Sequence, residues 1–156
     1  RLTSFLDQSS SPQGAAFNVR QSKIAIGAGG VVGKGWGKGT QTGLEFVPEQ
    51  HTDFIFTAVG EELGFLGASA LLGLLGVVVW RVWRAALLAK DFFGMLVCVG
   101  ILAMLAFQIF ENVGMTMGIM PITGIPLPFM SYGGSSAIAS FAAIGLVLNV
   151  SMRRYS

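Results

Sequence analysis

Three long stretches without a single charged residue limit what this chain can fold into. Residues 63–80 form an uncharged run of 18, residues 92–110 a run of 19 and residues 112–152 a run of 41. Pro121, Pro126 and Pro128 interrupt the last, which leaves residues 133–152 as a further run of 20. A helix rises about 1.5 Å per residue, so about 20 apolar residues cross a hydrocarbon core of about 30 Å. Hydrocarbon offers the backbone no hydrogen bonds, so each span must be helical. The sequence predicts an all-α membrane protein with transmembrane helices over residues 54–80, 92–118 and 133–152. Charged residues are 12% of the chain, about half the share in a soluble domain.

Charge also sets the expected orientation. Arg81, Arg84 and Lys90 crowd the short connection after the first span, and Arg153 and Arg154 follow the last. Dense Lys and Arg beside spans mark the cytoplasmic side, so residues 153–156 form a cytoplasmic tail and Trp80 and Trp83 sit at the inner interface. Residues 1–51 then form a large, partly helical extracytoplasmic loop, although they too hold five basic residues, Arg1, Arg20, Lys23, Lys34 and Lys38. The chain opens on Arg1 and a polar stretch, which reads as a piece of a longer protein. A net charge of +2 gives no case for a nucleic-acid partner. Cys98 stands alone, so no disulfide closes within the chain, and it reads as a small buried hydrophobe.

Several segments carry candidate chemistry. The glycine-rich stretch 26–40 fails as a nucleotide loop. A Walker loop needs Gly five residues before its Gly-Lys pair, but those positions hold Ala28 and Val32. A dinucleotide loop starting at Gly27 needs Gly at position 32, which is Val32. It remains either a bent connector or a turn whose N–H groups, with Lys34 or Lys38, hold a phosphate. In residues 45–53, Glu45, Glu49, His51 and Asp53 crowd together. On a helix Glu49 and Asp53 share a face. Paired carboxylates can yield a general base, and their oxygens suit magnesium or manganese. A helix N-terminus capped by Thr52 or Asp53 explains the segment equally well. Glu61 and Glu62 lie at the membrane's edge, suited to pairing with a Lys or Arg elsewhere. The Gly60/Gly64 and Gly114/Gly118 spacings suit close helix approach. Residues 121–136 link the last two spans through three prolines, which exclude a continuous helix; there Ser131 and Tyr132 offer hydroxyls and Gly133 an approachable backbone.

Together these segments resemble one family. QSKIAIGAGGVVGKG, GTQ, FVPEQHTDFIF, GEELGFLG and PITGIPLPFMSYGGSS occur in the order and spacing of the shape, elongation, division and sporulation (SEDS) proteins, with RodA and FtsW as named members. The resemblance covers residues 21–151. Thr123, where FtsW-like sequences usually carry Lys, favours the RodA branch. Ala28 and Glu111 depart from the usual pattern.

The resemblance implies a ten-helix fold of which this chain supplies the last three spans and the large outer loop. It implies a bacterial plasma-membrane peptidoglycan glycosyltransferase, active on the extracytoplasmic side, with lipid II as donor and acceptor. No organic cofactor is implied. A class B penicillin-binding protein is the implied partner, alongside membrane lipid. The essential family acid maps onto Asp53, and the two acids of the ExxxPE spacing onto Glu45 and Glu49. Asp53 is then the expected base for the acceptor hydroxyl. Lys23, Lys34, Lys38, or a divalent cation on Glu45 and Glu49, would counter the leaving diphosphate. His51, Thr52, Ser131, Tyr132 and Gly133 complete the expected substrate contacts. Two rival readings are a flippase for lipid-linked precursors, with Glu61 and Glu62 along its path, and a noncatalytic scaffold.

Overall fold

A computed structural model of the chain describes residues 15–35 and 54–153. These form five helices: α1 Ala15–Gly29, α2 Ile55–Glu62, α3 Gly64–Leu87, α4 Phe92–Thr116 and α5 Gly134–Arg153. Among the described residues there is no strand, in keeping with the all-α expectation. Helices α3, α4 and α5 hold 24, 25 and 20 residues and are apolar enough to cross a membrane.

The expected first span, 54–80, is two helices. The chain leaves α2 at Glu62, turns at Leu63 and starts again at Gly64, whose φ is +67°. Helix α3 then continues past Trp80 to Leu87, so Arg81 and Arg84 lie in the helix rather than in a loop. Their long stems let the charged ends reach toward water, and the Arg84 guanidinium lies 5.7 Å from the centre of the Trp80 ring. The shared end of α3, α4 and α5 that carries Arg81, Arg84, Lys90 and Arg153 is called the basic end below.

The core runs between the three long helices, through Val82, Ala86, Cys98, Leu105 and Val147, with Phe129 and Ile144 against it. Between spanning helices the gain comes from close fit rather than from excluding water. Gly94 shows this: a Cβ there would sit 3.0 Å from Val150 Cγ1. Large apolar residues such as Leu74, Phe107, Phe110 and Phe141 face outward. Helix α1 packs on α2 with a face of Ser22, Ala25, Ile26 and Gly29, spaced to lie on one side of a helix. A Cβ on Gly29 would overlap the Gly60 carbonyl oxygen, so the two backbones nearly touch.

Candidate functional site

The end of the molecule opposite the basic end is built from α1, α2, the end of α4 and the proline-rich link 117–133. Two hydroxyls, of Ser22 and Thr57, and the backbone carbonyl of Thr116 join the helices there. Ser22 Oγ donates to the Thr116 carbonyl at 2.9 Å. Ser22 has one hydroxyl proton, so in its 2.6 Å contact with Thr57 Oγ1 Thr57 must be the donor. All three residues are at most 1% exposed, and they tie α1, α2 and α4 at one point.

Residues 30–35 run across the break between α2 and α3. Lys34 and Gly35 N–H donate to the Glu61 and Glu62 carbonyls at 3.1 and 3.0 Å. Phe65 and Leu66 N–H, in the first turn of α3, donate to the Gly30 and Val31 carbonyls at 2.9 and 3.1 Å. The loop therefore satisfies both orphan helix ends at the break, which otherwise lack partners. Lys34 Nζ adds an ion pair to Glu61 Oε1 at 3.3 Å, with the Glu61 side chain fully buried and that of Lys34 30% exposed. Over residues 30–35 the glycine-rich stretch is a bent connector: the N–H groups of residues 33–35 are spent on protein carbonyls, while residues 36–40 of the stretch lie outside the described residues.

Side-chain contacts hold the proline-rich link to α4, beside the Ile119 and Met120 N–H groups that donate to the Gly114 carbonyl. Thr123 Oγ1 donates to Glu111 Oε1 at 3.1 Å and Asn112 Nδ2 donates to the Ile125 carbonyl at 2.9 Å. Beyond them the link turns sharply. Phe129 takes a φ of +66°, a strained value for a side-chain-bearing residue, while its ring packs edge-on against Phe141 at 5.5 Å. Ser131 Oγ accepts from Leu127 N–H at 2.7 Å, which closes the turn and leaves its hydroxyl proton available.

This turn forms one wall of a pocket of about 760 Å³, lined by Met130, Ser131, Tyr132, Gly133, Gly134 and Ala137, with Ile55 of α2 opposite. Tyr132 is 84% exposed, and a Cβ on Gly134 would meet nothing within 4 Å. The pocket thus offers two hydroxyls and open glycine backbone beside the start of α2.

The FtsW/RodA/SpoVE family, described as a cell cycle protein family, matches the chain over residues 1–156. The chain belongs to this family. The Escherichia coli K12 protein named peptidoglycan glycosyltransferase MrdB is 46% identical over 155 residues, 99% of this chain and 42% of that protein. Stage V sporulation protein E of Bacillus subtilis is 47% identical over 156 residues, all of this chain and 42% of the relative. A probable peptidoglycan glycosyltransferase FtsW of Geobacter sp. (strain M18) is 44% identical over 153 residues, covering 98% and 41%. A solved structure described as "Structural coordination of polymerization and crosslinking by a peptidoglycan synthase complex" matches with a TM-score of 0.81 at 35% identity, over all of this chain and 42% of that one. The chain spans about two-fifths of the length of the curated relatives it matches.

The family motifs meet in part within the described residues. Ser131, Tyr132 and Gly133 line one pocket together. Lys23 is exposed on α1, where a Cβ on Gly118 would come within 2.8 Å of its Nζ. Neither Lys23 nor Lys34 lines the pocket. Lys38, Glu45, Glu49, His51, Thr52 and Asp53 lie outside the described residues, and so does the Glu45/Glu49 metal expectation. Among the described residues no group of three His, Cys, Asp or Glu gathers as a metal site. Glu61, which the flippase reading set along a path with Glu62, is fully buried and pairs with Lys34. Sequence reasoning missed the Ser22–Thr57–Thr116 junction and the loop's hold on the helix break. Single hydroxyls at wide separations leave no local signal, whereas the positive φ at Gly64 had a trace in the GEELG glycines.

Proposed function

We propose that the protein built on this chain is a peptidoglycan glycosyltransferase that polymerises lipid II into glycan strands during cell elongation. The observation that carries the reading is the pocket that joins Ile55 to Ser131, Tyr132 and Gly133. Asp53 is two peptide links from Ile55, and two links reach no more than about 7 Å. Ile55, the described residue of the FVPEQHTDFIF motif in this wall, and the SYGG turn line one cavity, which supports a role for the nearby acid. That cavity lies at the end away from the basic cluster, which the positive-inside bias assigns to the extracytoplasmic side. Lipid II keeps its tail in the bilayer and its sugars on that side. The names of MrdB and the FtsW relatives support the reaction class.

In this reading the acceptor's sugar 4-hydroxyl attacks the anomeric carbon of the donor while Asp53 accepts its proton. The carbon–oxygen bond to the polyprenyl diphosphate breaks as the new glycosidic bond forms, with inversion. Ser131, Tyr132 and Gly133, with His51 and Thr52, orient the sugars. One of Lys23, Lys34 and Lys38 counters the charge growing on the diphosphate; Lys34 would do so from its partly exposed position beside Glu61. A divalent cation on Glu45 and Glu49 would add to that charge compensation. The complex named in the related solved structure couples polymerisation to crosslinking, which supports a class B penicillin-binding protein as partner. The test is polymerisation of lipid II by the intact protein with its partner, wild type against Asp53→Asn at matched expression. Loss of polymer with the complex still assembled is the expected result. Normal polymer from the variant would remove Asp53 from the mechanism.

A further inference from the structure

At the basic end, a second cleft of about 400 Å³ opens between the start of α4 and the end of α5. The two helices close its floor where Gly94 meets Val150. Its walls are apolar, from Phe93 and Val97 on α4 and Leu146 on α5. Its mouth is polar and carries Lys90, Arg153 and Asn149. Phe93 and Leu146 are 77% and 55% exposed, so among the described residues nothing covers these walls.

We propose that this cleft binds an anionic phospholipid of the leaflet at the basic end, its phosphate at the mouth and an acyl chain along the walls. Lys90 and Arg153 carry the case. Both are exposed, and among the described residues neither makes an ion pair. Asp91 also lines the cleft, but it is the N-cap residue of α4, where the helix's positive end compensates a carboxylate. The mouth therefore holds two cations to one carboxylate, a net positive charge, and basic pockets between spanning helices on the cytoplasmic side suit acidic headgroups. Asn149 adds an amide donor for a phosphate oxygen. A soluble phosphate compound would use the mouth but leave the apolar walls bare, so a lipid is the occupant that matches both.

The test is native mass spectrometry of the intact, delipidated protein with phosphatidylglycerol, phosphatidylcholine or soluble glycerol phosphate. Wild type is expected to retain phosphatidylglycerol over phosphatidylcholine, and glycerol phosphate in excess should not displace it. Each cation near the headgroups is worth about fivefold. The K90Q/R153Q double variant should thus lose roughly 25-fold in phosphatidylglycerol affinity and little for phosphatidylcholine. Leu146→Trp, which fills the acyl slot without touching charge, should weaken both lipids. Equal retention of the two lipids by wild type, undiminished retention by both variants, or displacement by glycerol phosphate would each overturn the proposal. Size-exclusion profiles confirm folding, and Leu146→Trp alone decides the matter if the double variant misfolds.

Discussion

The hold of residues 30–35 on the α2–α3 break can be tested with three glycines that differ in one physical respect each. Gly27 is helical and exposed, and a Cβ there meets nothing within 4 Å. Gly30 has the same open space but a φ of +57°. Gly64 has a φ of +67° and no space: a Cβ would overlap the backbone nitrogen of Gly33 and lie 2.7 Å from Val32 C and 2.8 Å from Val31 O. Gly27→Ala should be neutral or stabilising by up to about 1 kcal/mol, the helix-propensity gain. Gly30→Ala should cost about 1–2 kcal/mol, the left-handed penalty alone. Gly64→Ala carries that penalty and also pushes the loop away. Four backbone hydrogen bonds depend on the loop's position, each worth about 1 kcal/mol net. Its total should reach about 3–6 kcal/mol. Thermal unfolding in detergent ranks the three variants, and hydrogen exchange reads the amides of Lys34, Gly35, Phe65 and Leu66. Those four should lose protection in Gly64→Ala and keep it in Gly30→Ala. Equal stability of these two variants, with all four amides still protected, would refute the reasoning.

Three further outcomes follow from single contacts. Ser22→Ala leaves the buried Thr57 hydroxyl and Thr116 carbonyl without their partner and should cost about 2–4 kcal/mol; Thr57→Val should cost less, because Ser22 can still donate to Thr116. Reversed ranking by thermal unfolding would mean the donor assignment is wrong. Lys34→Met removes a cation 3.3 Å from a fully buried carboxylate and should cost about 2 kcal/mol, as for a hydrogen bond to a charged group, whereas Lys34→Arg should keep most of the stability; limited proteolysis near residue 34 would show the loosened loop. Thr123→Lys should be tolerated, since its ammonium can reach Glu111, while Thr123→Glu should lower the unfolding temperature and recover when combined with Glu111→Gln. A Thr123→Glu protein as stable as wild type would show that position 123 does not face Glu111.

How much was legible in the sequence depended on the range of the interaction concerned. Missing charge over 18 to 20 residues is a local property, and it marked the stretches that form α3, α4 and α5. The break at Leu63 was masked, because GEELGFLG contains no proline and the change there from Glu61 and Glu62 to apolar residues reads equally as the membrane edge of one continuous helix. Gly60 and Gly64 looked like a helix-approach pair, yet they act separately: Gly60 lets Ile26 approach and Gly64 supplies a positive φ. Spacing was enough to exclude a nucleotide role for residues 26–40. It could not say that the loop caps a helix break, because those partners lie about thirty residues along the chain. The contact of Glu111 with Thr123 was half visible, since both positions stood out against the family pattern, but only the fold brings them to 3.1 Å.

The glycine-rich loop and the GEELG segment form one structural unit, and this bears on the proposal that Asp53 is the base. Irregular backbone at membrane depth is tolerated when protein satisfies it, and each side of the α2–α3 break is satisfied by the other motif. Fixing Glu61, Glu62, Phe65 and Leu66 fixes the axis of α2. That helix is eight residues long, about 12 Å, and its first residue is Ile55 in the pocket wall. The Ser22–Thr57 bond secures the same helix from α1. A substitution at the break should therefore lower polymerisation with the pocket's own residues unchanged, by shifting α2 and the acid that precedes it. Because a catalytic group misplaced by about 1 Å can cost about a hundredfold in rate, Gly64→Ala should lose far more activity than Gly30→Ala in preparations that remain folded.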